Sequence, residues 1–317
     1  MPHLLIAGKL HPAGLALLQA SQGVTYDYVE EVSEPSYAPL IGKAEGLVIR
    51  TQPLSAATIA NAARLKIVSR HGVGYDSVDM TALNERRIPL CIVGDTNSLS
   101  VAEHAMMMIL ACAKQAIRAD RAVRGGTWGW RNRLEAGEIS GKRLLIVGFG
   151  RSGRHLARMA QGFEMEISAF DPFLAEKGWP EGSVQPVGSL DEGLAWAEII
   201  SVNVPKAARP MLTSREFEKL RPGAILVNTA RGGIVDEAAL AAALADGRVA
   251  AAGLDVFDDE PPAKDHPLFA FDQVLLSPHI AGLTRQAGER MAVASVQNAL
   301  DYLAGRLDPD LIVNREV

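Results

Sequence analysis

The run Leu144-Leu145-Ile146-Val147-Gly148-Phe149-Gly150-Arg151-Ser152-Gly153 decides the fold of this chain. Four apolar residues read as a buried strand, and Gly148, Gly150 and Gly153 then fall at the G-x-G-x-x-G spacing. Residues 154–161 look helical, and Gly162 is a fitting stop. Each glycine has a mechanical task. The first allows a tight turn, the second lets backbone approach a pyrophosphate, and the third lets helix pack on strand. Phosphates would rest on free N–H groups at the positive end of that helix. Alone, the motif is weak, because glycine-rich turns are common. A second strand at residues 166–170 ends in Asp171, close to the roughly 20-residue distance at which a carboxylate meets the adenosine ribose. Pro172-Phe173 follow in place of an arginine, which favours NAD over NADP. The bland alternative is a strand, turn and helix with incidental glycines.

Working outward, residues 144–147, 167–170, 199–204, 224–228, 251–256 and 274–277 read as six strands separated by helical stretches, the pattern of a dinucleotide-binding sheet. Before the motif, strands at 4–7, 24–29, 46–49, 66–69 and 90–93 alternate with helix-like segments at 13–20, 56–63 and 78–86. Such alternation predicts a parallel sheet covered on both faces. The expected fold class is therefore α/β, with two Rossmann-like or flavodoxin-like domains. Residues 285–303 read as a last helix, and Leu311-Ile312-Val313-Asn314 as an apolar tail returning to the first domain. The substrate-binding domain is then discontinuous, 1–98 with 286–317, and the NAD-binding domain, 99–285, is inserted in it. Ser100-Val101-Ala102-Glu103 reads as a capping box opening a helix to about residue 118. Its 105–113 portion is apolar on all sides, as for a helix buried between domains or in a dimer contact. Residues 121–138 read as a surface loop.

Bulk properties narrow the function. A chain of 317 residues suits two domains, and 48% hydrophobic with 22% charged residues is ordinary for a globular protein. A net charge of −5 with 5% aromatics argues against nucleic-acid binding. Cys91 and Cys112 are the only cysteines and read as reduced core thiols of a cytoplasmic protein. The start lacks a basic leader, no apolar run is long enough for a membrane span, and no H-x-x-x-H pair suggests a metal.

In an open α/β sheet, ligands bind beyond the carboxyl ends of the strands. Arg231, Glu260 and His279 each follow a predicted strand of the second domain. That trio suits hydride transfer at a 2-hydroxy acid. Arg231 can grip a carboxylate with its planar fork. His279 can give or take a proton, and Glu260 can orient the imidazole. Taken singly, each has a duller role, as a satisfied strand-end histidine or a surface ion pair.

Several motifs in the same order carry a resemblance. They are Gly72-Val73-Gly74-Tyr75-Asp76-Ser77-Val78-Asp79, Val101-Ala102-Glu103-His104, Asn228-Thr229-Ala230-Arg231-Gly232-Gly233-Ile234-Val235-Asp236, Gly253-Leu254-Asp255-Val256-Phe257 with Glu260-Pro261, and Ser277-Pro278-His279-Ile280-Ala281-Gly282. Over nearly its whole length the chain resembles the D-isomer-specific 2-hydroxyacid dehydrogenases, in the short phosphoglycerate-dehydrogenase-like form without a regulatory domain. The resemblance implies an NAD-dependent oxidoreductase and homodimer, with Arg231, Glu260 and His279 as the catalytic set and substrate held between the domains. Gly148, Gly150, Arg151, Ser152, Gly153, Asp171, Pro205, Thr229, Ala230, Arg231, Asp255, His279 and Gly282 would line the NAD site, Asp255 meeting the nicotinamide carboxamide. Val73 and Gly74, with Asn97 nearby, would hold the substrate carboxylate. Arg50, Arg70 and Arg131 match basic positions that contact a phosphate in phosphoglycerate dehydrogenases, the dull alternative for Arg50 and Arg131 being solvated charge.

Three departures from the family pattern bear on substrate and cofactor. His71 stands where small or apolar residues are frequent, Gly94-Asp95-Thr96 replaces a common Pro-Gly pair, and Lys206-Ala207-Ala208-Arg209 follows Pro205. Hydroxypyruvate or glyoxylate is the alternative acid. Formate dehydrogenases share the fold but have no need of a Glu–His proton donor. A non-enzymatic NAD-sensing scaffold, like the family's transcriptional corepressors, would need no complete trio.

Overall fold

The computed structural model describes residues 1–180 and 184–316. The chain divides into two compact units, Met1–Asn97 with Leu283–Val317, and Ser98–Gly282. The changeovers fall after Asn97 and Gly282, where the sequence reading placed them after residues 98 and 285.

The first unit is built on five parallel strands, β1 (His3–Ala7), β2 (Thr25–Val29), β3 (Gly46–Ile49), β4 (Ile67–Arg70) and β5 (Leu90–Cys91), in the order β2-β1-β3-β4-β5. Side chains alternate along each strand. Leu5 and Ala7 enter one core with Tyr37, Ile59 and Leu83, while Leu4 and Ile6 enter another with Leu18, Ala292 and Val296. The second core belongs to the helices Pro12–Ala20 and Arg285–Leu303, which approach so closely that a Cβ on Gly14 would stand 3.0 Å from Ala292. The tail returns to this sheet as expected. Ile312 bridges Cys91 in antiparallel fashion, and Asn314 Oδ1 accepts the Leu90 N–H at 2.7 Å.

Seven parallel strands form the second unit's sheet, one more than expected. They are β6 (Arg143–Val147), β7 (Glu166–Phe170), β8 (Gln185–Pro186), β9 (Ile199–Val202), β10 (Ala224–Asn228), β11 (Val249–Leu254) and β12 (Val274–Leu276), in the order β12-β11-β10-β9-β6-β7-β8. Leu145 and Val147 face one core with Leu226 and Leu254, and Leu144 and Ile146 face the other with Met108, Ile109 and Leu156. The order reverses between β6 and β9, so the crevice of a doubly wound sheet opens beside the glycine turn.

Three local expectations are corrected. The long helix runs Ser98–Ala113, so Ser100 lies inside it and the capping box is not used. It ends early because Gln115 takes a left-handed conformation (φ 52°), and a separate helix, Ala116–Arg124, occupies the start of the stretch read as a loop. The apolar segment of the long helix is largely buried. Met108 and Ile109 are in the core, whereas Met107 is 43% exposed. Among the described residues no helix is long and apolar enough to cross a membrane, and no group of three His, Cys, Asp or Glu side chains is placed to hold a metal. Both cysteines are buried free thiols, pushed by burial up to about 11 at Cys91 and about 12 at Cys112.

Candidate active site

The glycine turn is built for close approach. A Cβ on Gly148 would lie 2.7 Å from the Asn203 carbonyl beyond β9, and one on Gly153 would lie 2.4 Å from the Gly148 carbonyl. Gly150 differs, since a Cβ there meets nothing within 4 Å. It caps the N-terminus of the Arg151–Gln161 helix, whose first turn carries no acid, leaving backbone N–H groups turned toward open space. Asp171 is fixed beside this turn. Its Oδ2 accepts the Phe149 N–H at 2.8 Å, and its Oδ1 accepts the N–H groups of Phe173 and Leu174 at 3.0 and 3.2 Å. Across the crevice, the Oγ1 of Thr229 and the Oδ1 of Asn203 are buried without a hydrogen-bond partner among the described residues. Open backbone donors, a fixed carboxylate and two orphaned oxygens fit a dinucleotide. Gly148, Gly150, Arg151, Ser152, Gly153, Asp171 and Thr229 are the residues that would hold it.

Next along the sheet edge lie the turns after β10, β11 and β12. Asn228 shapes the first, its Oδ1 accepting the Ala230 N–H and its Nδ2 donating to the Arg231 carbonyl, each at 3.0 Å. Arg231 leaves that turn with Nη1 on the Ala230 carbonyl at 2.7 Å. Gly232 permits contact with the second turn, because a Cβ there would overlap the Phe257 carbonyl at 1.7 Å. The Phe257 N–H bonds Glu260 Oε1 at 3.1 Å, and Glu260 Oε2 meets His279 Nδ1 at 2.7 Å. An unbroken series of contacts therefore joins the three turns that carry Arg231, Glu260 and His279. With the carboxylate ionised, Nδ1 must be the donor, so Nε2 is the nitrogen left for proton exchange. The pair remains accessible, His279 47% and Glu260 36% exposed at the side chain.

Asp255 follows β11 at the same sheet edge. It is 0% exposed, and its carboxylate bonds Ser277 Oγ and the N–H groups of Ile280 and Ala281. Its visible work is to hold the loop that bears His279. Pro205 is exposed, Ala230 buried, and Gly282 intermediate at the same edge.

The remaining predicted residues divide by environment. In the first unit, Arg50, Arg70, Gly72, Val73, Gly74 and Asn97 follow or end β3, β4 and β5, at the carboxyl edge of that sheet. No backbone–backbone hydrogen bond among the described residues uses the N–H of Val73 or Gly74. Arg50 is half-buried. Its Nη1 donates to the Lys9 carbonyl at 2.7 Å, and its Nε is buried without a partner among the described residues. Arg70 is buried and donates to the carbonyls of His71 at 3.0 Å and Ile49 at 3.4 Å. Burial first, then the positive charge of Arg50, pushes the buried His71 down to about 3, so the imidazole is neutral. Arg131, in the second unit, is exposed and lies over the Trp128 ring at 5.8 Å.

Two further features escaped the sequence reading. Gln52 is 2% exposed beside Arg50, and neither its Nε2 nor its Oε1 has a partner among the described residues. His104 meets Ser277 Oγ at 2.9 Å. Both His104 and Ser277 stand inside recognisable motifs, yet nothing in one sequence pairs positions so far apart.

Residues 106–281 match the family profile described as D-isomer specific 2-hydroxyacid dehydrogenase, NAD binding domain. A D-3-phosphoglycerate dehydrogenase from Archaeoglobus fulgidus is 38% identical over 84% of this chain and 50% of its own length. The chain thus spans half the length of that relative. A glyoxylate reductase from Korarchaeum cryptofilum is 32% identical, covering 100% of this chain and 97% of its own. Among solved structures, the TT0316 protein from Thermus thermophilus superposes with a TM-score of 0.88 at 30% identity, over 98% of this chain and 99% of that one.

Proposed function

Because the chain belongs to the D-isomer-specific 2-hydroxyacid dehydrogenase family, we propose that it interconverts a D-2-hydroxy acid and its 2-oxo acid with NAD(H). The Glu260–His279 pair at 2.7 Å, tied through Phe257 to the Arg231 turn, is the observation that carries the reading. When bound, the nicotinamide supplies the reducing equivalent. Arg231 holds the substrate carboxylate and polarises the 2-oxo group. His279 Nε2 gives a proton to the oxygen that becomes the hydroxyl, and in oxidation takes it back. Glu260 fixes the ring through its bond to Nδ1. Asp171, followed by Pro172 rather than an arginine, supports NAD in preference to NADP.

Carboxylate binding is assigned to the N–H groups of Val73 and Gly74, with Asn97 nearby. Arg50 is the best-supported contact for an anionic tail, since its Nε has no partner among the described residues. This favours a phosphoglycerate-dehydrogenase-like substrate. Arg70 donates to two backbone carbonyls and Arg131 is exposed, so both contribute less to that reading. The alternative, a hydroxypyruvate or glyoxylate reductase, is supported by the full-length likeness to a glyoxylate reductase. A scaffold without chemistry would have no use for the formed Glu–His pair.

We place the protein in the cytoplasm on its reduced, buried cysteines. A homodimer through the second unit is supported by apolar groups left outward on successive elements, Met107 (43% exposed), Val123 (61%), Trp128 (65%) and Leu134 (87%). The test is NADH oxidation with phosphohydroxypyruvate, hydroxypyruvate and glyoxylate, comparing the protein with its His279→Ala variant. Acid-dependent turnover that disappears in the variant supports the proposal. Undiminished turnover in the variant removes His279 from the chemistry.

A further inference from the structure

We propose that His104 and Ser277 are positioning residues, which hold His279 through the buried carboxylate of Asp255. The proposal rests on the reading of His279 as the proton-transferring group.

His279 has φ 53°, in the left-handed region that side chains with a Cβ rarely adopt. Such a conformation persists only where its surroundings enforce it. Asp255 supplies the enforcement from both sides. Its carbonyl accepts the His279 N–H at 2.8 Å. Its Oδ1 accepts the Ile280 N–H at 2.9 Å, and its Oδ2 accepts the Ala281 N–H at 2.8 Å. Ser277, two residues before His279, donates its hydroxyl proton to the same Oδ1.

A fully buried carboxylate is costly unless its lone pairs are met by donors. Counting protons then settles the role of His104. Ser277 has one hydroxyl proton, and Asp255 takes it, so the 2.9 Å contact between Ser277 Oγ and His104 Nε2 requires the proton to be on Nε2. That nitrogen is also 3.7 Å from Asp255 Oδ1. Serine thus accepts from imidazole and donates to carboxylate, and removing either partner frees the hydroxyl to turn away. The scaffold places the imidazole there. His104 and Met108 lie one turn apart on the Ser98–Ala113 helix. Met108 presses against β11 at Gly253, where an added Cβ would fall 2.8 Å from the Met108 Cβ, two residues before Asp255.

The test uses the full chain with NADH and whichever of hydroxypyruvate, phosphohydroxypyruvate and glyoxylate it turns over. Ser277→Ala and His104→Ala should each lower kcat by about tenfold to a hundredfold, by analogy with the loss of outer hydrogen-bond partners that orient metal ligands. NADH affinity and the KM for the acid should change little. The solvent deuterium isotope effect on kcat should rise, as proton transfer becomes limiting. Ser277→Thr and His104→Gln, which keep the hydroxyl and an N–H donor, should recover most of the loss. Independently of turnover, hydrogen exchange at the Ile280 and Ala281 amides should quicken in both alanine variants. Unchanged kcat, isotope effect and exchange would overturn the proposal, even with a lowered melting temperature. So would a loss confined to NADH affinity. Should an alanine variant not fold, its conservative partner decides, because failure of Thr and Gln to preserve kcat also contradicts the assignment. His279→Ala run alongside separates the two levels. If it retains turnover, the proton-transfer reading fails, whereas its inactivity beside fully active Ser277→Ala and His104→Ala sinks only the positioning role.

Discussion

His279→Ala should lower turnover by about a hundredfold to ten-thousandfold, the usual contribution of a positioned general acid. Stopped-flow NADH binding should stay within a few-fold of wild type, because the glycine turn and Asp171 are the groups assigned to hold the dinucleotide. Comparable NADH binding and normal kcat in the variant would place the proton donor elsewhere. Asp171→Ala should act on the other side of that division and weaken NADH about tenfold or more, as for lost hydrogen bonds to a charged group. His71 makes a separate prediction about stability. Its imidazole is held down to about 3 from the ordinary 6.5, so between those values the unfolded chain binds a proton that the folded chain refuses. Stability therefore falls as pH drops from 6.5 toward 3, by about 2 kcal/mol at an intermediate pH near 5. Urea melts of His71→Gln across that window should lack this share of the acid loss. A parallel pH profile in both proteins would contradict the burial argument.

At the scale of elements, the turn after β6 is the least tolerant point of the second unit. Gly153→Val should cost about 1–3 kcal/mol from overpacking and abolish NADH binding, since its Cβ would press on the Gly148 carbonyl at 2.4 Å. Thermal melts with and without NADH check both halves of that statement. This turn was legible because its mechanics are local, glycine spacing after an apolar strand and a carboxylate one strand later. The edges of elements were less so. Ser100 and Glu103 have the spacing of a cap, but the helix begins at Ser98, and local chemistry alone does not rank one serine above another. β11 starts at Val249 rather than residue 251, in an alanine-rich stretch whose propensity is helical and whose pairing with β10 overrides it. β8 is two residues long and leaves no periodicity to read. The candidate site shows the same division. Arg231, Glu260 and His279 could be found because each follows a strand, whereas His104 and Gln52 owe their surroundings to contacts between distant segments.

For the molecule as a whole, the open chemical variable is the tail of the acid. Arg50→Ala should reduce kcat/KM for phosphohydroxypyruvate far more than for hydroxypyruvate, because a buried dianion needs a paired cation. Equal losses on both acids would remove the phosphate argument and leave the glyoxylate or hydroxypyruvate reading ahead. Assembly is tested by light scattering. The wild type should have the mass of a dimer, and Met107→Asp with Trp128→Asp should shift it toward the monomer. The central claim is met most directly by following NADH absorbance as purified protein is mixed in turn with phosphohydroxypyruvate, hydroxypyruvate and glyoxylate. Loss of NADH that depends on at least one of these acids, with the D-hydroxy acid formed from either of the two hydroxypyruvates, is the predicted result. Tight NADH binding with no turnover on any of them would contradict it.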